Sequence, residues 1–180
     1  MKKIFLSTVV CAILFSCGSS RSFQSFFNEH KSDLGVTAFQ VPNFMKAILG
    51  NISPEQNLFD NLTDFKFITF NNSSTQYQKG LIDEMNLVAG NKYTDMYRKN
   101  TVENTKIISV KEFGNVVTEA IVFDSKLEKT TVFYIKGQFD PDKIKAFSDD
   151  NTFNDFSKKL QQEYQMNLNP SLNPSFNPNE

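Results

Sequence analysis

Residues that bind metals or form disulfides are scarce in this chain of 180 residues, which contains two Cys, one His and no Trp. A zinc site of the Cys/His type and a disulfide framework both need more of these residues than the chain has. Glycine is sparse too, and its seven residues are never clustered, so no glycine-rich loop is available to hold a phosphate. We therefore expect no cofactor and no bound metal.

The chain also lacks a strong charge of either sign. Lys and Arg number 19 against 20 Asp and Glu, and the formal net charge is −1. Proteins that bind nucleic acids usually carry a basic surface and a high isoelectric point, so we expect no nucleic-acid partner. A hydrophobic fraction of 39% and a charged fraction of 22% are typical of a globular protein.

The first residues predict export from the cytoplasm. Two lysines follow Met1, and residues 4–15 form an apolar stretch of twelve residues. A helix of that length spans about 18 Å, which is too short for a hydrocarbon core of roughly 30 Å. The length and the order of charges are those of a secretory signal peptide.

The residues at the end of this stretch resemble a bacterial lipobox: Leu14-Phe15-Ser16-Cys17-Gly18. A small residue precedes a Cys whose thiolate can take a diacylglyceryl group, so Cys17 is the predicted lipid-attachment residue. An ordinary signal peptide with an unrelated Cys is the alternative, but such cleavage sites favour a small residue where Leu14 stands. Cleavage before Cys17 would remove Cys11 and leave no free thiol for nucleophilic or redox chemistry.

The residue that follows Cys17 influences whether a lipoprotein stays in the inner membrane or is moved to the outer membrane. In Gram-negative lipoproteins an Asp there tends to retain the protein in the inner membrane, whereas this chain has Gly18. Some lipoproteins are exported to the cell surface by a run of acidic residues near the Cys. This chain has no such run, since its first acidic residue after Cys17 is Glu29. We expect an outer-membrane lipoprotein that faces the periplasm and contacts the membrane through N-terminal acyl chains.

The chain divides into four parts: a signal peptide at 1–16, a lipidated tether at 17–22, an α+β domain at 23–164 and a disordered Asn/Pro-rich tail at 165–180. The tail repeats a four-residue unit ending in Asn-Pro and one further residue, and a Pro at every fourth position forbids helix and central strand. A peptide ligand is one interpretation of the tail; an unselected extension fits better, because the repeat matches no PxxP-type ligand.

The first half of the domain mixes helices with strands. Phe23, Phe26, Phe27 and His30 have helical spacing. Residues 35–41 and 65–70 are predicted strands. One helix is predicted to begin at Ser53-Pro54 and to carry Leu58, Phe59 and Leu62. Another is predicted to be capped by Ser73 with Gln76 and to end at Gly90, with Tyr77, Leu81, Met85 and Val88 on one face.

The second half reads as a β-meander followed by helix. Residues 93–99, 105–113, 116–124 and 130–139 are predicted strands, joined by a Gly114-Asn115 hairpin and a loop at 125–128. Asp140-Pro141 begins a short helix, and a last helix carries Phe153, Phe156, Leu160 and Tyr164. The predicted fold is α+β, a single antiparallel (mixed) sheet of about five to six strands with helices packed on one face.

The stretch from Tyr93 to Ile144 supports a family resemblance, above all in its final turn, Ile135-Lys136-Gly137-Gln138-Phe139-Asp140. With the lipobox and the Phe-rich first helix, it resembles the bacterial envelope lipoproteins known only as domain of unknown function 4252, in which a strand ends in an I-x-G-x-I-D turn before a helix. The resemblance covers roughly residues 23–156. It implies a small α+β envelope domain with no assigned activity, and therefore no catalytic residue to carry over; the Asn-Pro tail departs from it.

Few side chains suggest chemistry. His30 shares a helical face with phenylalanines, which favours a packed structural residue over a general base. The densest acidic group lacks the spacing of a calcium loop and is better explained by helix capping: it consists of Asp140, Asp142, Asp149, Asp150 and Asp155. Asp83 and Glu84, considered as a carboxylate pair with Asp95, are adjacent on a helix and do not face each other.

Phenylalanine is the unusual component, with 19 residues. Four of them do not all fit one core and could form an exposed binding surface: Phe44, Phe113, Phe147 and Phe176. The sequence thus favours a lipid-anchored envelope protein of unknown molecular function, a non-catalytic binding or accessory module with a possible envelope protein partner. The alternatives are a carrier of a lipid or other apolar ligand, and a carboxylate-dependent hydrolase.

Overall fold

The computed structural model describes residues 21–41 and 60–163. These ranges contain six strands: β1 Val36–Gln40, β2 Asp64–Phe70, β3 Thr94–Asn100, β4 Asn104–Phe113, β5 Val116–Lys126 and β6 Lys129–Phe139. They also contain four α-helices: α1 Phe23–His30, α2 Thr75–Ala89, α3 Pro141–Lys145 and α4 Asp150–Glu163. Short 3₁₀ turns at Gly90–Lys92 and Ala146–Ser148 follow α2 and α3.

The strands form one antiparallel sheet in the order β1-β2-β6-β5-β4-β3. β3 to β6 are a meander of consecutive neighbours, as their short connections require. β2 pairs with β6 from Asp64↔Lys136 to Phe70↔Thr130, and β1 pairs with the outer side of β2. The predicted α+β class and the predicted antiparallel sheet of about six strands are confirmed.

The helices pack on both faces of the sheet, which corrects the expectation of one covered face. α3 and α4 cover one face, the α3–α4 face, where Phe133 and Phe156 lie in the core. α1 and α2 cover the other, the α1–α2 face, where Phe26 and Leu81 lie against the strands. The physical reason is that the central strands have continuous apolar runs such as 121–123, so apolar side chains point to both sides and both must be removed from water.

Capping residues fix the ends of the helices. Ser74, and not the predicted Ser73, is the N-cap of α2, because the Ser74 hydroxyl accepts the backbone N–H of Tyr77 at 3.3 Å. The Ser73 hydroxyl instead donates to the carbonyl of Glu128 at 3.1 Å. Gly90 ends α2 with a φ of +41°, as predicted. Asp140 caps α3 by accepting the N–H of Asp142 at 2.9 Å, which confirms the predicted helix start.

The last two of the three hairpins in the meander have two-residue turns. The predicted Gly114-Asn115 turn joins β4 to β5, and Gly114 has a φ of +62°. The predicted four-residue loop at 125–128 is wrong, because Ser125 and Lys126 pair with β6 and leave a two-residue turn with Leu127 at a φ of +42°.

Several predictions fall wholly or partly outside the described residues. The helix expected from Ser53 is one of these, and Leu62, assigned to it, lies buried just before β2. Tyr164, the tail at 165–180 and the N-terminal segments at 1–16 and 17–20 lie outside as well. The four domain boundaries therefore stay predictions.

Gly137, in the turn at residues 135–140 at the end of β6, is required for a steric reason. The Lys136 carbonyl accepts hydrogen bonds from the backbone N–H of Thr63 at 2.7 Å and from its hydroxyl at 3.0 Å. This brings the chain before β2 so close that a Cβ on Gly137 would lie 2.3 Å from the carbonyl oxygen of Asn61. No side chain fits there without moving the backbone.

Gly137→Ala should lower the free energy of unfolding by about 2 kcal/mol, since overpacking forces the backbone apart. Gly80→Ala is the matched control. Gly80 lies within α2 and nothing stands within 4 Å of an added Cβ, so this change should stabilise the protein by roughly 0.5–1 kcal/mol. Urea unfolding measures both. Equal effects of the two substitutions would contradict the close approach at Gly137.

Candidate functional site: a cationic cleft at one end of the sheet

A row of alternating charges crosses four neighbouring strands. Asp64 of β2 pairs with Lys136 of β6, Lys136 pairs with Glu119 of β5, and Glu119 pairs with Lys111 of β4. Side chains two residues apart on a strand share a face, so the row lies on the same face as Tyr134, the α1–α2 face. Opposite charges that stand directly across from each other stabilise a sheet.

Glu119 is the fixed centre of this row. Its Oε2 accepts hydrogen bonds from the Lys111 ammonium at 2.8 Å and from the Tyr93 hydroxyl at 2.7 Å. Burial raises the pKa of Glu119, but these hydrogen bonds outweigh it and the pKa lies below its ordinary value. Burial and the Glu119 carboxylate raise the pKa of Tyr93 and of Tyr134, so both phenols stay protonated.

Lys66 forms the inner end of the site. Its side chain is only 4% exposed, its ammonium pairs with the Asp64 carboxylate, and it lies 5.2 Å from the centre of the Tyr134 ring. The Phe23 ring also stacks on Tyr134, with the two ring centres 5.0 Å apart. The first residue of α1 therefore closes one side of the charged row.

These residues line a cleft of about 200 Å³ that stretches from the beginning of α1 to the end of α2. Two carboxylates face it, those of Asp64 and Glu119, and the cations outnumber them: Arg21, Lys66, Lys92, Lys111 and Lys136. Lys92 and Lys136 are exposed and form no ion pair with any residue that the structure describes. Lys66 and Lys111 are paired with the two cleft carboxylates, and Arg21 is paired with Glu29 and Glu84, so the positive excess of the cleft rests on Lys92 and Lys136.

The β4–β5 hairpin projects from the same end of the sheet as the cleft. Phe113, at its tip, is 81% exposed, as the sequence allowed. Phe147, grouped with it, is instead buried in the α3–α4 core, because the short helix α3 turns it against Phe133. Phe44 and Phe176 lie outside the described residues, so the exposed surface of four phenylalanines is not formed as predicted.

His30 is a packed residue, as expected, and it holds α1 to α2. Its Nδ1 lies 2.8 Å from an Asp33 carboxylate oxygen and its Nε2 lies 2.9 Å from one of Glu84. Burial lowers the pKa of His30. The hydrogen bonds and charges of the two carboxylates raise it by more than burial lowers it, so the pKa lies above the ordinary value of 6.5. An imidazolium held by a carboxylate on each side is not available as a base for a substrate.

The other acidic candidates are engaged in structural roles or face solvent. Asp149 accepts the N–H of Thr152 at 2.9 Å at the start of α4. Asp95 pairs with Arg98 at 2.6 Å, whereas Asp83 and Asp155 are exposed. Among residues 21–41 and 60–163, no three His, Cys, Asp or Glu side chains are placed to hold a metal ion.

A buried ionic cluster around Lys106 was missed from the sequence. Lys106 is 1% exposed, its ammonium pairs with Asp150 and lies 3.6 Å from Asp124, which is also buried. Burial raises the pKa of Asp124 despite Lys106 and Lys126, whereas hydrogen bonds from the two lysines lower the pKa of Asp150 to about 2. The alternation of side chains along the strand could have indicated this cluster, because Lys106 lies two residues from the buried Ile108 and therefore on the same face.

The sequence analysis did not identify the cleft, because its residues come from separate segments: Arg21 from the predicted tether, Phe23 from the first helix and Lys111 from a strand. The pairing of Lys111 with Glu119 around the Gly114-Asn115 hairpin was the one part that spacing could have suggested.

The fold and this site define a small α+β domain with one sheet between two pairs of helices and a charged cleft at one end. A family model described as "Domain of unknown function (DUF4252)" matches residues 30–147, and the chain belongs to this family, which confirms the resemblance. The comparison with curated proteins finds no match, and the comparison with solved structures finds none either. Within the described ranges, every helix is too short or too polar to cross a bilayer.

His30 predicts a pH dependence of stability. Because its folded pKa is raised above 6.5, its contribution is fully present below about pH 6.5 and is lost as pH rises through the folded pKa. Urea unfolding between pH 6 and pH 9 should show this loss in the wild type and a flatter profile in His30→Gln. The groups that face the ring are Asp33 and Glu84, with Tyr77 bonded to Asp33 at 3.2 Å and Arg21 to Glu84 at 3.1 Å. Identical profiles would contradict the imidazolium.

Lys106→Met should lower the free energy of unfolding by about 3 kcal/mol, because it leaves the buried Asp124 carboxylate with too little compensation. Lys126→Met is the control: its side chain is 30% exposed, and its loss should cost less than about 1 kcal/mol. Combining Lys106→Met with Asp124→Leu should recover most of the stability. Chemical unfolding of the three variants checks this, and equal losses for the two lysines would be inconsistent with a buried ion pair.

Proposed function

We propose that the protein is a lipid-anchored envelope protein whose α+β domain is a non-catalytic binding module, and that the cationic cleft is its site for an anionic group. The observation that carries the proposal is the positive excess of the cleft, in which Lys92 and Lys136 are exposed and form no ion pair with a described residue. Exposed ammonium groups suit an anionic ligand, because their charge assists the hydrogen bonds that they donate.

Acylation of Cys17 would place this cleft beside the membrane. Arg21 is the first described residue and lines the cleft. Four peptide units separate it from Cys17, and a chain of that length reaches at most about 14 Å. The proposed location is the periplasmic face of the outer membrane, with the acyl chains as the membrane contact.

Binding is better supported than catalysis. The His30 ring has a carboxylate at each nitrogen, and Glu119 already accepts two hydrogen bonds. A hydrolase would need carboxyl groups free to exchange a proton with a substrate. The helix-capping and ion-paired acids described above do not offer such a pair.

The apolar-carrier alternative has less support. The cleft of about 200 Å³ is lined by charged side chains, whereas sites for whole small-molecule ligands usually enclose roughly 300–1,000 Å³ and are mainly apolar. The two cores on either side of the sheet are filled by phenylalanine and aliphatic side chains. An envelope protein partner stays a prediction.

The anchor is tested by mass spectrometry of the mature N-terminus after expression in a Gram-negative host. We expect a chain that begins at Cys17 with an acyl modification and is recovered with the membrane fraction. Cys17→Ser should abolish the modification, and Cys11→Ser should leave it unchanged because that residue is predicted to leave with the signal. An unmodified N-terminus, or one cleaved elsewhere, would refute the anchor.

The cleft is tested by calorimetric titration of the purified acylated protein, in neutral detergent, with inorganic pyrophosphate. Lys92→Gln with Lys136→Gln should weaken binding by roughly three- to tenfold, the amount expected for two exposed charges. Lys99→Gln with Lys129→Gln removes the same charge from exposed positions at the other end of the sheet and should leave binding unchanged. Equal effects of the two pairs would contradict a site in the cleft.

A further inference from the structure

We propose that the cleft end of the domain docks on the surface of the bilayer, with the phosphate groups of anionic lipids entering the cleft and Phe113 entering the interface. This inference rests on the proposed anchor at Cys17. The ligand of the cleft is then the phosphate of an anionic lipid in the same membrane that holds the acyl chains.

The direction of α1 places the chain entry at the cleft end. Phe23, at its start, stacks on Tyr134 beside the cleft, and His30, at its end, packs 5.6 Å from Phe70 near the opposite end of β2. A tether of four peptide units, at most about 14 Å long, keeps the cleft close to the headgroups. The turns at the far end are held away from the membrane by the length of the sheet.

The charge of the cleft is complementary to an anionic leaflet. Lys92 and Lys136 are exposed, whereas Arg21 and Lys111, which also line the cleft, are paired with Glu84 and Glu119. Basic side chains near an anionic surface are attracted by a potential that falls off within a Debye length. The volume of about 200 Å³ and the charged lining fit a headgroup and not an acyl chain.

Phe113 supplies the apolar part of the surface. It is 81% exposed at the tip of the β4–β5 hairpin, and its cross-strand partner Val116 is 37% exposed. Lys111, two residues before it in the same strand, is bonded to Glu119, so the ammonium groups of the cleft that form no ion pair with a described residue are those of Lys92 and Lys136. An exposed aromatic ring next to lysines is the arrangement that interfacial segments use, with the ring at the acyl boundary and the ammonium among the phosphates.

The far end of the sheet also exposes apolar side chains, at the turns that contain Leu34, Val102 and Leu127. The tether distinguishes the two ends, because only the cleft end lies within reach of Cys17. The test therefore compares a reporter at each end.

The chain contains no Trp, so one substitution gives a single indole whose emission can be excited selectively over that of the five Tyr. Full-length acylated protein carrying Phe113→Trp is reconstituted into phosphatidylcholine vesicles, with and without phosphatidylglycerol. The acyl chains anchor the protein in both. We expect a blue shift of emission and protection from acrylamide quenching only when phosphatidylglycerol is present. Leu127→Trp is the control and should keep the emission of a solvent-exposed indole in both.

Charge variants in the Phe113→Trp background test the cleft itself. Each of Lys92→Gln and Lys136→Gln should lower the docking constant about fivefold, as expected for one basic residue near an anionic surface. The pair Lys99→Gln and Lys129→Gln should leave the phosphatidylglycerol response unchanged. High salt should reduce the response, since the attraction is screened.

Four results would overturn the inference. Equal emission from the Phe113→Trp protein in the two kinds of vesicle would exclude docking through anionic headgroups. A phosphatidylglycerol-dependent shift in the Leu127→Trp protein would assign docking to the far end. Binding of pyrophosphate in the cleft without any response to phosphatidylglycerol would assign the site to a soluble anion and leave the proposed function intact. An unacylated N-terminus by mass spectrometry would instead remove the anchor, and this inference with it.

Discussion

The pairing of β2 with β6 is the constraint on which the site depends. It joins residues 64–70 to residues 129–139 across a long separation in sequence, and its register sets Asp64 opposite Lys136 and Lys66 opposite Tyr134. The row of charges that begins in the β4–β5 hairpin is thereby extended to a fourth strand. The same pairing sets Phe67 opposite Phe133 and Ile68 opposite Val132, all of them buried, so apolar packing on both faces holds the polar row in place.

The cleft contains both buried charged side chains that are ion-paired and exposed lysines that form no ion pair with a described residue. Glu119 is bonded to Lys111 and Tyr93, and Asp64 is paired with Lys66, so the buried charges have partners. Lys92 and Lys136 remain exposed beside them. Groups of the first kind set the geometry, and groups of the second kind are free to meet an anion. This division supports binding over catalysis, because the binding of an anion by exposed ammonium groups requires no group to change its protonation state.

Most local features of the fold were predictable, with the α2 cap at Ser74 and the two-residue turn at Leu127 as exceptions, whereas the non-local contacts were not. The hairpin at Gly114-Asn115, the strands of the meander and the caps at Gly90 and Asp140 follow from short-range rules. The two covered faces, and the bonds of His30 to Asp33 and Glu84, depend on how distant elements meet. Periodicity identifies Lys66 as a strand residue but does not give its register with Tyr134, so the cleft could not be found from the sequence.

We propose above all that the cleft end of the domain faces the membrane. Amide hydrogen exchange of the acylated protein, measured on vesicles with and without phosphatidylglycerol, tests it residue by residue. The account predicts slower exchange with phosphatidylglycerol in the hairpin at 111–117 and around residues 136–139, and no change in the turns at 100–104 and 126–129. Protection confined to those distant turns, or protection that is the same for both lipid compositions, would contradict it.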